Sequence, residues 1–172
     1  IGIGSSAEKA LEASIDDLGP RTLSIFPSQR KRGGIASGFN PLVIKDAEAL
    51  AKNKEHNWLI APAMSGNRQI KYKNSNMNGE INGYLPVNFE VRGFDIGSGR
   101  LFSEKENLGR KRVIVLGSKV PGELKTSARE ILNKDILIAG TSYTVIGILK
   151  EEGSTGWQNP DDDLYVPLLT AA

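Results

Sequence analysis

Apolar residues near the start of the chain recur at helical spacing. The set between residues 7 and 18 consists of Ala7, Leu11, Ile15 and Leu18. Side chains spaced in this way share one face of an α-helix. Ser5 and Glu8 stand at the spacing of a capping box, and Gly19 with Pro20 is a stop signal. The pattern predicts a first helix here, and a second apolar stripe predicts another helix over residues 44–53.

Short apolar segments elsewhere in the first half are typical of strands. We expect strands at Thr22–Phe26, Trp58–Ala61 and Gln69–Lys73. Pro62 would end the second of them, and Gly66 would lie in the connection to the third. The first half therefore alternates helices and strands.

Residues 28–40 are rich in residues that break regular structure, and they carry three adjacent basic side chains, Arg30, Lys31 and Arg32. This composition predicts a long, mobile loop. A basic loop could contact nucleic acid or anionic lipid headgroups. Three positive charges in a loop are far more often simply solvated, so we expect solvation here.

The second half carries more strand signals than helix signals. The segment 111–117, with its apolar run at 113–116, is typical of a buried strand, and 135–149 has the pattern of a β-hairpin. Further strands are predicted at 80–85 and 164–166, and short helical segments at 87–91 and 118–125. The second helical segment requires Pro121 in its first turn. The fold class is therefore α+β, with two subdomains, 1–76 and 77–172.

Composition excludes several functional classes. The 172 residues hold 22 Lys plus Arg against 20 Asp plus Glu, a formal charge of +2 that identifies no nucleic-acid partner. There is no Cys and a single His, His56. Thiolate metal sites and His-pair metal sites are excluded, and a Ser-His-Asp triad is improbable. We expect no catalytic, cofactor-binding or metal-ligating residues in this chain.

The two ends of the sequence are abrupt. The chain opens on Ile1 without an initiating Met, and it closes on an apolar segment that ends at Ala172. No apolar run of about 18 residues, the length of a membrane span, occurs between them. We expect an excised segment of a longer protein; a processed mature N-terminus is the alternative.

The candidate chemical motifs are weak. Glycines at 2–4 and 97–99 do not continue into a phosphate-binding loop. Asp161, Asp162 and Asp163 offer hard oxygen ligands, but they lack the ligand spacing of a calcium loop, so we expect a solvated turn. His56 lies beside no recognisable nucleophile and is interpreted as a surface residue.

Trp157 and its neighbour Gln158 are the candidate partner-contact residues. They lie between Glu152 and Asp163, in a loop that also holds Gly156. An aromatic side chain in such a loop could anchor a partner. The Trp157 side chain could equally fold back as a lid on the core, and the sequence leaves both interpretations open.

The order of several segments resembles the extracytoplasmic domain of MacB-type ABC transporter permeases. The resemblance spans nearly the whole chain and rests on the order of motifs that are individually ordinary. The segments are Leu18-Gly19, Thr22–Pro27, Pro41-Leu42, Asp46–Leu50, Ala61-Pro62, Gly99–Phe102, Val113–Gly117, Tyr143–Leu149 and Asp163–Leu168. The resemblance implies a porter-like α/β subdomain, incomplete here, with a mainly β subdomain inserted into it. The returning half of the porter-like part would follow Ala172, and an open sheet edge could pair with another copy.

Two positions depart from the family pattern. Val43 stands where the family tends to place Thr, so side-chain capping of the second helix is lost and Asp46 must contribute more to the helix start. Asn133 and Lys134 replace a Gly-Lys-like turn, and Asn tolerates the left-handed conformation. Both departures indicate a divergent member, so a macrolide or toxin substrate is not carried over.

The resemblance implies a non-catalytic periplasmic domain of a bacterial inner-membrane permease. It would couple ATP-driven movement of the membrane spans to substrate export or partner docking. The implied partners are a second permease copy, a separate ATPase domain or subunit, and a periplasmic adaptor or lipoprotein. The alternatives are a lipoprotein-releasing or cell-division type permease, a freestanding periplasmic ligand-binding or sensor domain, and, least favoured, an enzyme.

Overall fold

The computed structural model describes residues 23–26, 29–32, 35–39, 42–52, 58–154 and 159–172. The contacts divide the chain into two compact units, Ile1–Lys52 and Asn53–Ala172. The expected division near residue 76 falls inside a continuous antiparallel hairpin, in which Ala63–Tyr72 pairs with Ser75–Tyr84. Residue 76 therefore lies within one sheet and not between two subdomains.

The first unit contains a small hairpin where a loop was expected. Strand β1 (Gln29–Arg32) pairs antiparallel with β2 (Ile35–Phe39). The prediction of an irregular loop over 28–40 was wrong, because two residues, both glycine, between two short runs are themselves a hairpin signal. Residues 23–26 form no strand and are exposed. The predicted opening helix lies outside the described residues.

Helix α1 (Ile44–Ala51) confirms the second predicted helix. Val43 is the N-cap residue, and its side chain accepts no capping hydrogen bond. The Asp46 carboxylate instead accepts a hydrogen bond from the Val43 backbone N–H at 2.8 Å. Asp46 therefore supports the helix start, as expected from the loss of a side-chain cap at Val43.

The second unit combines seven strands with short helices. Its strands are β3 (Ala63–Tyr72), β4 (Ser75–Tyr84), β5 (Ile96–Gly99), β6 (Val113–Leu116), β7 (Asp135–Ile138), β8 (Thr141–Leu149) and β9 (Leu164–Pro167). Its described helices are α2 (Pro86–Arg92), α3 (Glu104–Leu108), α4 (Val120–Glu123), α5 (Ala128–Ile131) and α6 (Leu168–Ala171). The α+β class and the helical segments at 87–91 and 118–125 are confirmed, with Pro121 in the first turn of α4.

The seven strands form one sheet in the order β5-β8-β6-β9-β4-β3-β7. The first half of β8 also pairs with β7, so six strands close into a ring and β5 extends the sheet from the second half of β8. Two neighbouring pairs, β4 with β9 and β6 with β8, are parallel. The closed ring is a small barrel, and in barrels of this size side chains fill the interior.

Two hydrophobic clusters lie on opposite faces of this sheet. Ile114 and Leu116 of β6 belong to the first cluster, whereas Val115 between them belongs to the second. The second cluster contains the aromatic rings of Tyr84, Phe89, Phe102 and Tyr165. Because β6 is buried on both faces, it needs a continuous apolar run, which is the signal that predicted it.

The hydrophobic pattern of the sequence did not predict the bounds of strand β3. The strand predicted at Trp58–Ala61 is absent, and Gly66 lies within β3, paired with Ile81 of β4. The first seven residues of β3 are not buried. They carry no apolar alternation, and their backbone pairing with β4 holds them in the sheet.

The predicted hairpin at 135–149 is confirmed as β7 and β8, joined by Ala139 and Gly140. Asn133, just before β7, has a φ of 63°, in the left-handed region. Its backbone N–H donates to the Val145 carbonyl at 2.7 Å. Asn133 thus supplies the conformation that was expected of it.

Candidate functional site

The candidate site is the loop between β8 and β9, which carries Trp157 and Gln158. Both of these residues lie outside the described part of the chain, as does His56. The structure describes the two ends of the loop, up to Ser154 and from Asn159 onward. The contacts that hold these two ends together define the candidate site.

The Asp161 carboxylate joins the two ends of the loop. Asp161 is 1% exposed. One oxygen accepts hydrogen bonds from the Ser118 hydroxyl and the Glu152 N–H, both at 2.9 Å. The other oxygen accepts from the Gly153 N–H at 3.0 Å and lies 3.7 Å from the Lys119 ammonium. One buried side chain thus connects the start of the loop, its end and the turn after β6.

Burial of Asp161 raises the pKa of its carboxyl, because a charged form is costly away from water. The hydrogen bonds from the Glu152 N–H, the Ser118 hydroxyl and the Gly153 N–H oppose this effect and outweigh it. The pKa of Asp161 therefore lies below its usual value. The group is an ionised, hydrogen-bonded anchor for the loop.

The backbone reinforces this anchor at Gly117. The Gly117 N–H donates to the Asp163 carbonyl at 2.8 Å, and the Lys119 N–H donates to the Asp161 carbonyl at 3.0 Å. A Cβ at position 117 would lie 2.3 Å from the Asp161 carbonyl oxygen and 2.5 Å from that of Pro160. Only glycine allows the loop end to approach the turn so closely.

Asp161 was expected in a solvated turn, and that prediction was wrong. Asp161 lies in the turn over residues 160–162 that precedes β9, and it is buried there. Asp161 and Asp163 lie two positions apart, and both accept hydrogen bonds within the fold. Their side-chain donors, Ser118 and Asn82, lie far away in the sequence, so no local pattern identifies the two carboxylates.

Asp163 occupies a different environment. Burial, followed by repulsion from the Glu80 carboxylate, raises the pKa of Asp163 to about 6, although the Asn82 amide donates a hydrogen bond to it at 3.3 Å. A carboxyl group with this pKa changes its charge under mildly acidic conditions. The loop end therefore holds one firmly ionised carboxylate, Asp161, and one that titrates.

The loop end also rests on the aromatic cluster. The Tyr165 hydroxyl donates to the Pro160 carbonyl at 3.2 Å. The Tyr165 ring lies 5.0 Å from that of Tyr84 and 5.6 Å from that of Phe89, measured between centroids. Such ring contacts add specificity to apolar burial. The carboxyl end of the loop is fixed by both polar and aromatic contacts.

These residues do not form a metal centre. No group of three or more metal-binding side chains occurs within the described ranges. Both carboxylate oxygens of Asp161 already accept hydrogen bonds from the protein. Gly97 and Gly99 lie in β5, and Gly99 approaches β8 there. Neither glycine stands at the start of a helix. The arrangement can position a surface loop, and it presents no set of reacting groups.

Comparison with known proteins gives the family. The sequence model described as MacB-like periplasmic core domain matches residues 1–172. The chain belongs to this family. It is a periplasmic domain of a MacB-like ABC transporter permease, as the resemblance implied.

Two curated relatives illustrate the match. The macrolide export ATP-binding/permease protein MacB of Bdellovibrio bacteriovorus is 32% identical over 174 residues, which is 99% of this MacB-like chain and 27% of that protein. The protein of the same name from Neisseria gonorrhoeae is 30% identical over 153 residues, 88% of this chain and 23% of that protein. This chain thus spans about a quarter of each relative.

Solved structures agree on the fold of the MacB-like domain. The periplasmic region of MacB from Actinobacillus actinomycetemcomitans aligns with a TM-score of 0.61 at 19% identity, covering 91% of this chain and 61% of that one. The extracellular domain of the ABC-type transporter YknZ from Gram-positive bacteria aligns with a TM-score of 0.60 at 23% identity, covering 72% and 61%. Among the described residues, no helix is long and apolar enough to span a bilayer.

Proposed function

We propose that this MacB-like domain is a non-catalytic part of its permease. It couples ATP-driven movement of the membrane spans to substrate export or to partner docking. The observation that carries the proposal is the family match over residues 1–172. ATP hydrolysis belongs to a separate domain or subunit, since the sequence holds no phosphate-binding loop motif.

The closed sheet supports a mechanical role. Six strands pair around a ring, and two clusters of buried side chains pack its two faces. Closely packed interiors have low compressibility and transmit strain. Movement applied to one part of this barrel is therefore transmitted to its other parts.

The proposed partners are a second copy of the permease and a periplasmic adaptor or lipoprotein. Trp157 and Gln158 remain the proposed contact residues for the adaptor or lipoprotein. The anchor at Asp161 supports this assignment, because a loop whose two ends are fixed loses less conformational freedom on binding. The transported substrate is left open.

Distance measurements on the full-length permease test the coupling role. These 172 residues hold no cysteine, so in a permease whose other cysteines are replaced Arg129→Cys introduces a single labelling position on the exposed surface of α5. We expect the distance between spin labels on two copies to change between the nucleotide-free state and a state trapped with a slowly hydrolysed ATP analogue. The matched control carries labels at positions 71 and 129 of one domain, whose separation is expected to stay constant.

Three results would contradict parts of this proposal. An inter-copy distance that stays the same while ATP is hydrolysed would exclude coupling through this domain. Labels that never report a second copy would exclude the homodimer. A native gene that encodes no membrane span on either side of this segment would favour a freestanding sensor domain.

A binding assay tests the proposed contact residues. Trp157→Ala in the full-length permease is expected to weaken binding of the purified adaptor or lipoprotein encoded with it by roughly tenfold or more, as loss of an aromatic anchor does. The matched control is Trp58→Ala, which removes the chain's other tryptophan, 59% exposed. Equal effects of the two substitutions would exclude Trp157 as a specific anchor.

A further inference from the structure

An open cavity of about 300 Å³ lies in the second unit, away from the anchored loop. It is lined by Arg110, Arg112, Thr141, Tyr143, Leu169 and Thr170. The volume is at the lower end of the range for small-molecule sites. Five of the six lining residues are polar, and neither the proposed coupling role nor the loop uses them.

Two walls of the cavity meet where β6 and β8 run side by side. Arg110 and Arg112 precede β6, and Thr141 and Tyr143 lie two residues apart on β8, so these two share a face of the strand. The Thr144 N–H donates to the Arg112 carbonyl at 2.9 Å. This bond fixes the segment that carries the arginines beside the segment that carries the hydroxyl groups.

Helix α6 forms the third wall and is tied to the same region. The Thr170 hydroxyl donates to the Lys111 carbonyl at 2.9 Å. The Leu169 N–H donates to the side-chain oxygen of Asn107 at 3.1 Å, and Asn107 is 2% exposed. The shape of the cavity is therefore built into three elements that hydrogen bonds hold together.

The charge of the cavity is positive. No carboxylate is among the lining residues, and no ion pair within 4.0 Å involves Arg110 or Arg112 in the described part of the chain. Asp135 accepts a hydrogen bond from Thr144, which faces away from Tyr143 on β8. The field of the two guanidinium groups is left available to a bound anion.

Arg110 adopts a backbone conformation that favours glycine. Its φ is 47°, whereas the preceding Gly109 has a φ of −77°. The left-handed conformation is unfavourable for a non-glycine residue. Four other non-glycine residues of the described chain also have positive φ. The conformation therefore supports a site here only together with the cavity and its charge.

We propose that this cavity binds an oxyanion, the phosphate or carboxylate group of a small molecule. The planar guanidinium groups of Arg110 and Arg112 match such groups through paired hydrogen bonds. The hydroxyl groups of Thr141 and Tyr143 supply further donors. Because the site is open to solvent, binding weakens as the salt concentration rises.

A titration of the 172-residue chain followed by two-dimensional NMR tests this inference. The probes are inorganic phosphate and, separately, acetate, each compared with sodium chloride at equal ionic strength. We expect saturable shifts of the Arg112 and Tyr143 amide signals that chloride does not produce. Saturation with phosphate alone assigns the site to phosphate groups, and saturation with both assigns it to oxyanions generally. Identical responses to all three salts would overturn the proposal.

Matched substitutions locate the binding. Arg112→Gln is expected to weaken it by roughly tenfold or more, since a hydrogen-bonded charge is lost. Arg129→Gln on the exposed surface of α5 is the control and is expected to leave it unchanged. Tyr143→Phe keeps the ring and removes only the hydroxyl, so it tests the site without threatening the fold. Unchanged affinity in both Arg112→Gln and Tyr143→Phe would exclude the cavity.

Discussion

Replacing Asp161 by Asn tests whether this buried carboxylate anchors the loop. The amide keeps one oxygen, which can still accept from the Ser118 hydroxyl and the Glu152 N–H. Its NH₂ group then faces the Gly153 N–H and the Lys119 ammonium, so the hydrogen bond at 3.0 Å and the ion contact at 3.7 Å are both lost.

The magnitude follows from these losses. A hydrogen bond to a charged group contributes about 1.5–3 kcal/mol, and the half-exposed Lys119 adds under about 0.5 kcal/mol. We expect Asp161→Asn to lower the free energy of unfolding by about 2–3 kcal/mol. Asp161→Ala removes all three hydrogen bonds and should cost about 4 kcal/mol or more. For a chain of this size, Asp161→Asn corresponds to a fall in Tm of about 5–10 °C.

The assay is urea unfolding at pH 7, followed by far-UV circular dichroism, with hydrogen exchange measured at Glu152 and Gly153. The Gly153 amide should exchange faster in both Asp161 variants, and the Glu152 amide should exchange faster in Asp161→Ala. Asp95→Asn is the control, because Asp95 is 75% exposed and lies 3.9 Å from Lys150, so a change within about 0.5 kcal/mol is expected. If Asp161→Asn matched this control in stability and left exchange at Gly153 unchanged, the anchoring role of Asp161 would be wrong.

Three further predictions concern the loop end, its charge and the β7 turn. Gly117→Ala should destabilise the chain by about 2 kcal/mol or more in the same assay, because the new Cβ meets two backbone oxygens. The control Gly122→Ala should be near neutral, since no atom lies within 4 Å of its Cβ. Asp163 has a raised pKa of about 6 in the folded state, so the folded state binds more protons than the unfolded state. Stability should therefore rise by up to about 1 kcal/mol, after discounting for solvent screening, as the pH is lowered from 7.5 to 5; parallel pH profiles of wild type and Asp163→Asn would refute this. Asn133→Gly should be tolerated and Asn133→Val should cost about 1–2 kcal/mol, a difference measured by thermal unfolding.

Local chemistry predicted much of the second unit. The buried run of β6, the β7–β8 hairpin and the helix with Pro121 in its first turn each depend on residues close in sequence. Helix α3 also has a local signal, because Ser103 and Glu106 have the capping-box spacing.

The long-range contacts were not predictable from one sequence. The hydrogen bond between Ser118 and Asp161 joins residues far apart in the chain, so an acidic run near β9 could not be seen as partly buried. The first part of β3 depends on pairing with β4 and not on its own side chains. The cavity at Arg112 likewise exists only once β8 and α6 are in place.

The position of β9 has a consequence for how the protein is made. This strand lies between β4 and β6, where Leu164 pairs with Ile81 and Tyr165 pairs with Val115. A chain that emerges from the ribosome in order must therefore expose the open edges of β4 and β6 until its last described strand arrives. Pairing over such sequence distances makes closure slow. Until β9 is made, both edges are available for pairing with another chain, because no earlier described strand occupies this place in the ring.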